Sequence, residues 1–157
     1  FSFDATDTEG TPIANRVEGN KRPRSSMSPT IVLNQQGTPK LLSGSPGGSR
    51  IIAYTAQSLW NVLQFGLDPQ EAINLPHYMN NNAGTEIEDP TSEEQLTSYD
   101  ANALMVELES SFGHASVTIS DQLTSGLAMI EMDNQNWIGG ADPRRDGVVG
   151  PNEGAEC

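Results

Sequence analysis

The stretch from Thr30 to Gly66 limits what this chain can fold into more than any other, because it reads as strand, turn, strand, glycine turn and helix in unbroken succession. From Thr30, TIVLN alternates as a strand does, QQGTP supplies a turn and KLLSG runs back as a second strand. The pair Gly47 and Gly48 then leads into a helix. In it Ile51, Thr55, Leu59 and Val62 recur at helical spacing, as do Ile52, Ala56, Trp60 and Leu63, and Gly66 is placed to cap the C-terminus. A hairpin feeding directly into a helix of this kind calls for a layered body in which sheet and helix share one core.

The rest of the chain extends that pattern. Asp68 is set as an N-cap, with Pro69 at the first helical position and Glu71 three residues after the cap, and Pro76 stops the short helix they open. The acidic run EIEDPTSEE, Glu86 to Glu94, surrounds a further strand. A third helix is predicted over about Tyr99 to Ser111, with Leu104, Leu108 and Phe112 on one stripe and Gly113 closing it. ASVTIS and GLAMIEMD read as strands, NQN as a turn and WIGG as the return strand, after which ADPRRDGVVGPNEGAEC trails off. No internal repeat is visible. The expectation is an α+β domain in three parts: an acidic loop or lead over residues 1–20, a core over 21–147, and a flexible tail over 148–157.

Charge narrows the function. Eight Lys/Arg against twenty-one Asp/Glu give a net charge of −13, which excludes a nucleic-acid-binding face. One cysteine, Cys157, at the last position rules out an internal disulfide framework or a cysteine metal cluster. No apolar run approaches the roughly 20 residues of a membrane helix, and no basic start precedes an apolar signal core. The chain opens on FSFD rather than Met, so its start is expected to be a processing site or an artificial boundary with sequence removed upstream.

Against this acidic background, three of the eight basic residues, Lys21, Arg22 and Arg24, fall within four positions, directly before Ser25 and Ser26. Two hydroxyl donors in a locally positive field can hold a carboxylate. The plainer reading is that the cations offset nearby acids and the serines satisfy a turn. Gly47 and Gly48 lie between a strand and the first turn of a helix, where unpaired N–H groups point outward and the helix dipole is positive. Consecutive amides can aim at one oxyanion there, and only glycine lets a substrate approach the main chain so closely. The plainer reading is a glycine-rich turn, and no Walker lysine follows it. His77 and His114 have no Ser, Cys or metal-ligand partner at a diagnostic spacing and are read as structural. Met105, Met129, Met132 and Trp60 are read as core or near-core material, and DPRRD (Asp142 to Asp146) as a local ion-pair and turn network. Cys157 has no positive neighbour that would make it a reactive thiol. No metal or cofactor is expected.

Four segments, taken in order, resemble the γ-glutamyltransferase (γ-glutamyltranspeptidase) family: NKRPRSSMSPTIV, SGSPGGSRII, the helix with GLDPQEAINLPHY after it, and IGGADPRRDG. The resemblance runs from about Asn20 to Gly147. It implies part of a four-layer αββα N-terminal nucleophile hydrolase sandwich, cut from a precursor that cleaves itself into large and small subunits. In that family a freed N-terminal threonine attacks a γ-glutamyl amide, with its own α-amine as base. Carried over by motif, Ser25 and Ser26 match the pair that binds the α-carboxylate of the γ-glutamyl group, and Gly47 and Gly48 match the oxyanion hole.

The departures carry equal weight. The chain begins at Phe1 and contains no Thr-Thr-His-like stretch, so it holds no nucleophile. The family's acidic residue for the substrate amine falls in an acidic pair before a Phe-Ser, which places it just upstream of Phe1; Asp4 is a weaker substitute. The resemblance therefore implies a C-terminal part of a small subunit. Such a part would be inactive alone, would need the large subunit and the remainder of the small subunit, and would be prone to self-association through exposed strands. The parent would cleave glutathione or other γ-glutamyl compounds and pass the γ-glutamyl group to water, amino acids or peptides, in a periplasmic or secreted location. The alternatives are a glutaryl or cephalosporin acylase relative and a non-catalytic scaffold.

Overall fold

In the computed structural model, residues 1–82, 84–89, 99–121, 123–133 and 136–150 are described. The expected hairpin is β1 (Thr30–Leu33) and β2 (Pro39–Gly44), antiparallel with Thr30 opposite Ser43, with an irregularity between Val32 and Leu33. Its turn is held by the Asn34 side chain, which accepts from the Gln36 and Thr38 amides at 3.0 and 2.9 Å.

A 3₁₀ turn over Gly48–Arg50 then opens α1 (Ile51–Phe65), closed by Gly66 in the left-handed region at φ 70°. α2 (Pro69–Asn74) carries the predicted reciprocal cap: Asp68 accepts from the Glu71 amide at 2.8 Å, and Glu71 accepts from the Asp68 amide at 3.0 Å. β3 (Tyr78–Asn80) and β4 (Thr85–Glu88) follow. α3 (Ala101–Phe112) is capped by Asp100 and ends at Gly113. β5 (Val117–Ser120), β6 (Ala128–Asp133) and β7 (Asn136–Ala141) complete the chain. Residues 1–20 form no regular element but are tied by local bonds, including Asp7 Oδ1 accepting from the Glu9 and Thr11 amides at 2.9 and 2.8 Å. The later part of the acidic run, residues 134–135 of the NQN turn, most of the tail and Cys157 lie outside the described residues.

The strands form two sheets. β1-β2-β6-β7 is antiparallel throughout, whereas β3-β4-β5 pairs β4 with β5 in parallel, so α3 serves as the crossover that a parallel pair requires. One face of the four-stranded sheet packs on α1 and α2, burying Leu41, Tyr54, Val62, Ala72, Ile73, Leu123, Leu127 and Met129. Each large apolar side chain fully buried here contributes about 1.5–3 kcal/mol. Ile87, Ala101 and Val117 form a second core under α3, with Leu104 and Leu108 against it. α2 lies so close to β7 that a Cβ on Gly140 would stand 2.7 Å from the backbone of Pro69. The Gln70 amide pairs with Ala141 as a strand would, donating to its carbonyl at 2.9 Å and accepting from its N–H at 3.0 Å.

Among the described residues, the other face of the four-stranded sheet is covered only in part, by Val149 against Gly139. By strand alternation Ile31, Leu33, Leu42, Ile130, Met132 and Trp137 share it, and Ile31, Leu33, Ile130 and Trp137 are exposed. A cavity of about 910 Å³ runs along this face, bounded by Trp137 and by Val148 and Val149. A four-layer sandwich covers such a face with a second sheet.

Three expectations need correction. Of the two α1 stripes, only that of Ile51, Thr55 and Val62 is buried, with Leu59 packed against it; Ile52, Ala56, Trp60 and Leu63 are exposed, so Trp60 is not core. Phe112 is likewise exposed at the end of its stripe, while Met129 is buried and Met105 and Met132 are half-buried. The chain also does not trail off after β7, since Asp142 is buried and Arg144 is drawn inside.

Candidate active site

Antiparallel pairing decides where the two candidate stretches lie. The segment of Ser25 and Ser26 enters β1, and the segment of Gly47 and Gly48 leaves β2, so with Thr30 opposite Ser43 both sit at one end of the sheet. β6 begins and β7 ends there too, with Gly44 opposite Ala128 and Ala128 opposite Ala141. The loops are stitched together. The Gly126 amide donates to Ser45 Oγ at 3.2 Å, and Arg145 donates to the Ser125 and Thr124 carbonyls at 2.9 and 3.0 Å. Pro46 and Arg145 both pack where a side chain on Gly126 would be.

Ser25 is exposed, and its hydroxyl accepts from the Met27 amide at 3.2 Å; Ser26 is half-buried. The preceding loop is fixed by the Arg24 amide, which donates to Asn15 Oδ1 at 3.1 Å. Lys21 does offset a nearby acid, pairing with Glu18 at 3.0 Å beside Arg16 at 2.8 Å, and these cations hold the Glu18 carboxyl below its ordinary pKa. Arg22 and Arg24 are exposed and form no ion pair among the described residues.

Gly47 and Gly48 both have positive φ, 138° and 61°. Two successive residues in that region form a backbone that glycine alone adopts readily. They differ in surroundings. A Cβ on Gly48 would meet nothing within 4 Å, leaving its backbone open to a ligand, whereas one on Gly47 would stand 2.7 Å from Tyr54 Cε2. Behind the turn, the Arg50 amide donates to the Gly47 carbonyl at 3.2 Å. The Arg50 guanidinium grips Glu86 on β4 with two bonds of 2.7 and 2.9 Å. The start of α1 is thereby tied to the second sheet.

Below this end of the sheet lies a buried polar network that the sequence did not disclose. Arg144 spends all five N–H donors: two on the Glu88 carboxylate, both at 2.7 Å, and one each on Asp142 and the Ile73 and Leu75 carbonyls, all at 3.1 Å. Glu88 also accepts from the His77 and Leu123 amides at 2.8 and 3.2 Å. Burial pushes the Asp142 carboxyl up, but the Ser125 hydroxyl, the Leu127 and Arg144 amides and the Arg144 charge outweigh it and hold it below its usual range. The expected local pair in DPRRD is present as Asp142–Arg144, and Glu88, distant in sequence, completes it. No pattern of spacing announces such a partner.

His77, Ser125 and Asp142 are bonded in line, with His77 Nε2 2.8 Å from Ser125 Oγ and Ser125 Oγ 2.5 Å from Asp142 Oδ2. The wiring is not that of a nucleophile. Ser125 gives its only hydrogen to Asp142, so it must accept from the Nε2–H of a neutral His77, and it is fully buried. Burial, aided by the Arg144 charge, lowers the His77 pKa to about 4. The other histidine, His114, bonds Thr85 Oγ1 at 2.6 Å. Among the described residues no group of three or more His, Cys, Asp or Glu could hold a metal ion, and no helix is long and apolar enough to cross a membrane.

Comparison with known proteins bears on the family and the fold. The family model described as Gamma-glutamyltranspeptidase matches residues 1–151, which takes in the acidic front as well as the core. The glutathione hydrolase proenzyme of Bacillus subtilis (strain 168) is 31% identical over 148 residues, 92% of this chain and 23% of that protein. The enzyme of the same name from Escherichia coli (strain K12) is 52% identical over 65 residues, 41% of this chain and 11% of that protein. The chain thus spans a minor part of the curated relatives it matches. Among solved structures, a mutant gamma-glutamyltranspeptidase of Helicobacter pylori aligns with a TM-score of 0.68 and 28% identity, over 88% of this chain and 73% of that one. The Pseudomonas nitroreducens enzyme complexed with L-DON aligns with a TM-score of 0.69 and 26% identity, over 92% and 72%. With its α+β fold matched over nearly its whole length, the chain belongs to the gamma-glutamyltranspeptidase family.

Proposed function

We propose that this chain supplies half of the active site of an enzyme that cleaves γ-glutamyl amides such as glutathione and transfers the γ-glutamyl group to water or an amino acid. The observation that supports the reading is the antiparallel register of β1 and β2, by which the segment carrying Ser25 and Ser26 enters the sheet at the end where the segment carrying Gly47 and Gly48 leaves it. In this reading the serine hydroxyls, in the field of Arg22 and Arg24, hold the substrate's α-carboxylate. The amides of Gly47 and Gly48 face the γ-carbonyl at the other end of the glutamyl group.

The nucleophile comes from outside the chain: a threonine hydroxyl whose proton passes to its own α-amine. Its oxygen attacks the γ-carbonyl carbon, and the carbonyl electrons move onto an oxyanion that the two glycine amides stabilise. Collapse of that intermediate breaks the C–N bond, the leaving amine takes the proton, and an ester to the threonine remains. Water or an amino acid then attacks the ester by the same steps in reverse order. The amides contribute because they point at the developing charge before it forms.

The chain's small share of its relatives' length supports a division of labour in which the nucleophile, the large subunit and the rest of the small subunit belong to the remainder of a self-cleaving precursor. A periplasmic or secreted location accompanies this reading. The test is release of the chromophore from a γ-glutamyl anilide by the full-length protein, with this chain alone as control. Turnover by the former and none by the latter is expected. A full-length protein that cleaves itself yet leaves the anilide intact, but hydrolyses a glutaryl amide, would replace this reading with that of an acylase.

A further inference from the structure

We infer that Tyr54 is a positioning residue for the Gly47–Gly48 turn, its ring forming the floor that fixes the direction of the turn's amides; this rests on the oxyanion role proposed for those glycines. Tyr54 is fully buried on the inner face of α1. Its Cε2 and Cδ2 stand 2.7 and 3.1 Å from the position a Cβ on Gly47 would take, so the ring packs directly against the bare Cα of that glycine. The ring also meets His77, with centroids 4.5 Å apart and planes tilted by 38°.

His77 is itself immobilised, its ring by Ser125 and its amide by Glu88, both of which belong to the network around Arg144. A continuous chain of contacts therefore runs from the buried ion cluster through His77 and Tyr54 to the turn. The turn is anchored at its far side by Arg50 on Glu86. Gly47 has φ 138°, in a region where glycine has wide freedom, so nothing in its own covalent geometry holds the peptide between Gly47 and Gly48 at one angle. The Tyr54 ring removes that freedom from below. An oxyanion site gains from donors that need no reorientation during reaction, and that is what a rigid floor provides.

The ring, rather than the hydroxyl, does this. Among the described residues the Tyr54 hydroxyl is buried without a hydrogen-bond partner. Burial, opposed by the Arg50 charge, pushes its pKa up to about 12, so it stays neutral.

The experiment uses the full-length protein carrying Tyr54→Phe, Tyr54→Leu or, as a matched core lesion, Leu41→Ala in the same buried cluster. Three quantities are read: kcat and KM on a γ-glutamyl anilide, thermal stability, and deuterium exchange of the amides of residues 47–50. Tyr54→Leu is expected to lower kcat about 10- to 100-fold, short of the roughly 100- to 1000-fold for losing an oxyanion donor outright. KM should stay within about twofold while exchange at the turn quickens. Tyr54→Phe should match the parent, and Leu41→Ala should lose stability while keeping kcat and turn protection. Unchanged kcat and exchange in Tyr54→Leu, an equal kcat loss in Leu41→Ala, or a large loss in Tyr54→Phe would each overturn the inference. If the parent turns over no γ-glutamyl anilide but exchange still answers to Tyr54→Leu alone, the floor stands and the oxyanion reading of the turn falls.

Discussion

Replacing Arg144 by methionine should cost this chain far more stability than any surface charge could. The guanidinium is 2% exposed and lies between Glu88 and Asp142, whose side chains are 0% and 1% exposed. Methionine keeps much of the volume but removes three bonds to the two carboxylates and two to the carbonyls of Ile73 and Leu75. Breaking a buried pair by deleting one partner typically costs 3–5 kcal/mol, because the other charge stays buried without compensation. Here two carboxylates are left, each still held by backbone amides and Asp142 also by Ser125, which argues for about 4 kcal/mol rather than the sum of two losses. Against a typical total of 5–15 kcal/mol, such a loss brings the fold close to its limit.

Urea denaturation followed by circular dichroism, for the parent and Arg144→Met at pH 7 and pH 5, measures the loss directly. The deficit should shrink at the lower pH, since orphaned carboxylates take up protons and shed their uncompensated charge. Arg144→Lys should lie between, as one ammonium cannot serve five fixed acceptors. A deficit below about 1 kcal/mol at pH 7 would refute the reasoning, because it would mean that solvent reaches the cluster.

Three further outcomes follow from the packing. His77, neutral and buried with its pKa lowered from 6.5 to about 4, binds its proton more readily in the unfolded chain. Its stabilising contribution is complete above pH 6.5 and is lost as pH falls toward 4, by at most roughly 3 kcal/mol; a His77→Gln variant with the same slope of stability against pH would contradict this. Gly140→Ala should cost about 1–3 kcal/mol, because the new methyl group meets the Pro69 backbone rather than a movable side chain, and an unchanged melting curve would show that α2 does not lie on β7. The isolated chain, with Ile31, Leu33, Ile130 and Trp137 exposed on one sheet face, should associate with rising concentration in sedimentation runs. A monomer at every concentration would count against that face being sticky.

What could be read from the sequence was local. The Asp68–Pro69–Glu71 cap, the glycines after α1 and α3, and the turn between β1 and β2 are signals complete within a few residues, and all are in place. The three-residue β3 was too short to show a period, and the parallel partnership of β4 and β5 spans α3, so neither had a local signature. Trp60 misled because α1 is apolar on two faces while the described residues cover only one, and periodicity cannot say which face finds a neighbour. The candidate site shows the same division. Its serines and glycines were legible as motifs, but the supports beneath them were not: Glu88 reaches Arg144 across 56 residues, Ser125 reaches His77 across 48, and Tyr54 looks in sequence like any core aromatic.

The central claim is that Ser25 and Ser26 grip an α-carboxylate while Gly47 and Gly48 serve the carbonyl at the other end of the same substrate. The most direct measurement compares, in the full-length protein, kcat/KM for a γ-glutamyl anilide and for its analogue lacking the α-carboxylate, with and without the double change Ser25→Ala, Ser26→Ala. Hydrogen bonds to a charged group are worth about 1.5–3 kcal/mol each, so the parent should prefer the carboxylated substrate by at least about tenfold per serine. The variant should lose most of that preference through the carboxylated substrate alone. A variant that still discriminates as the parent does would place the carboxylate elsewhere and contradict the account.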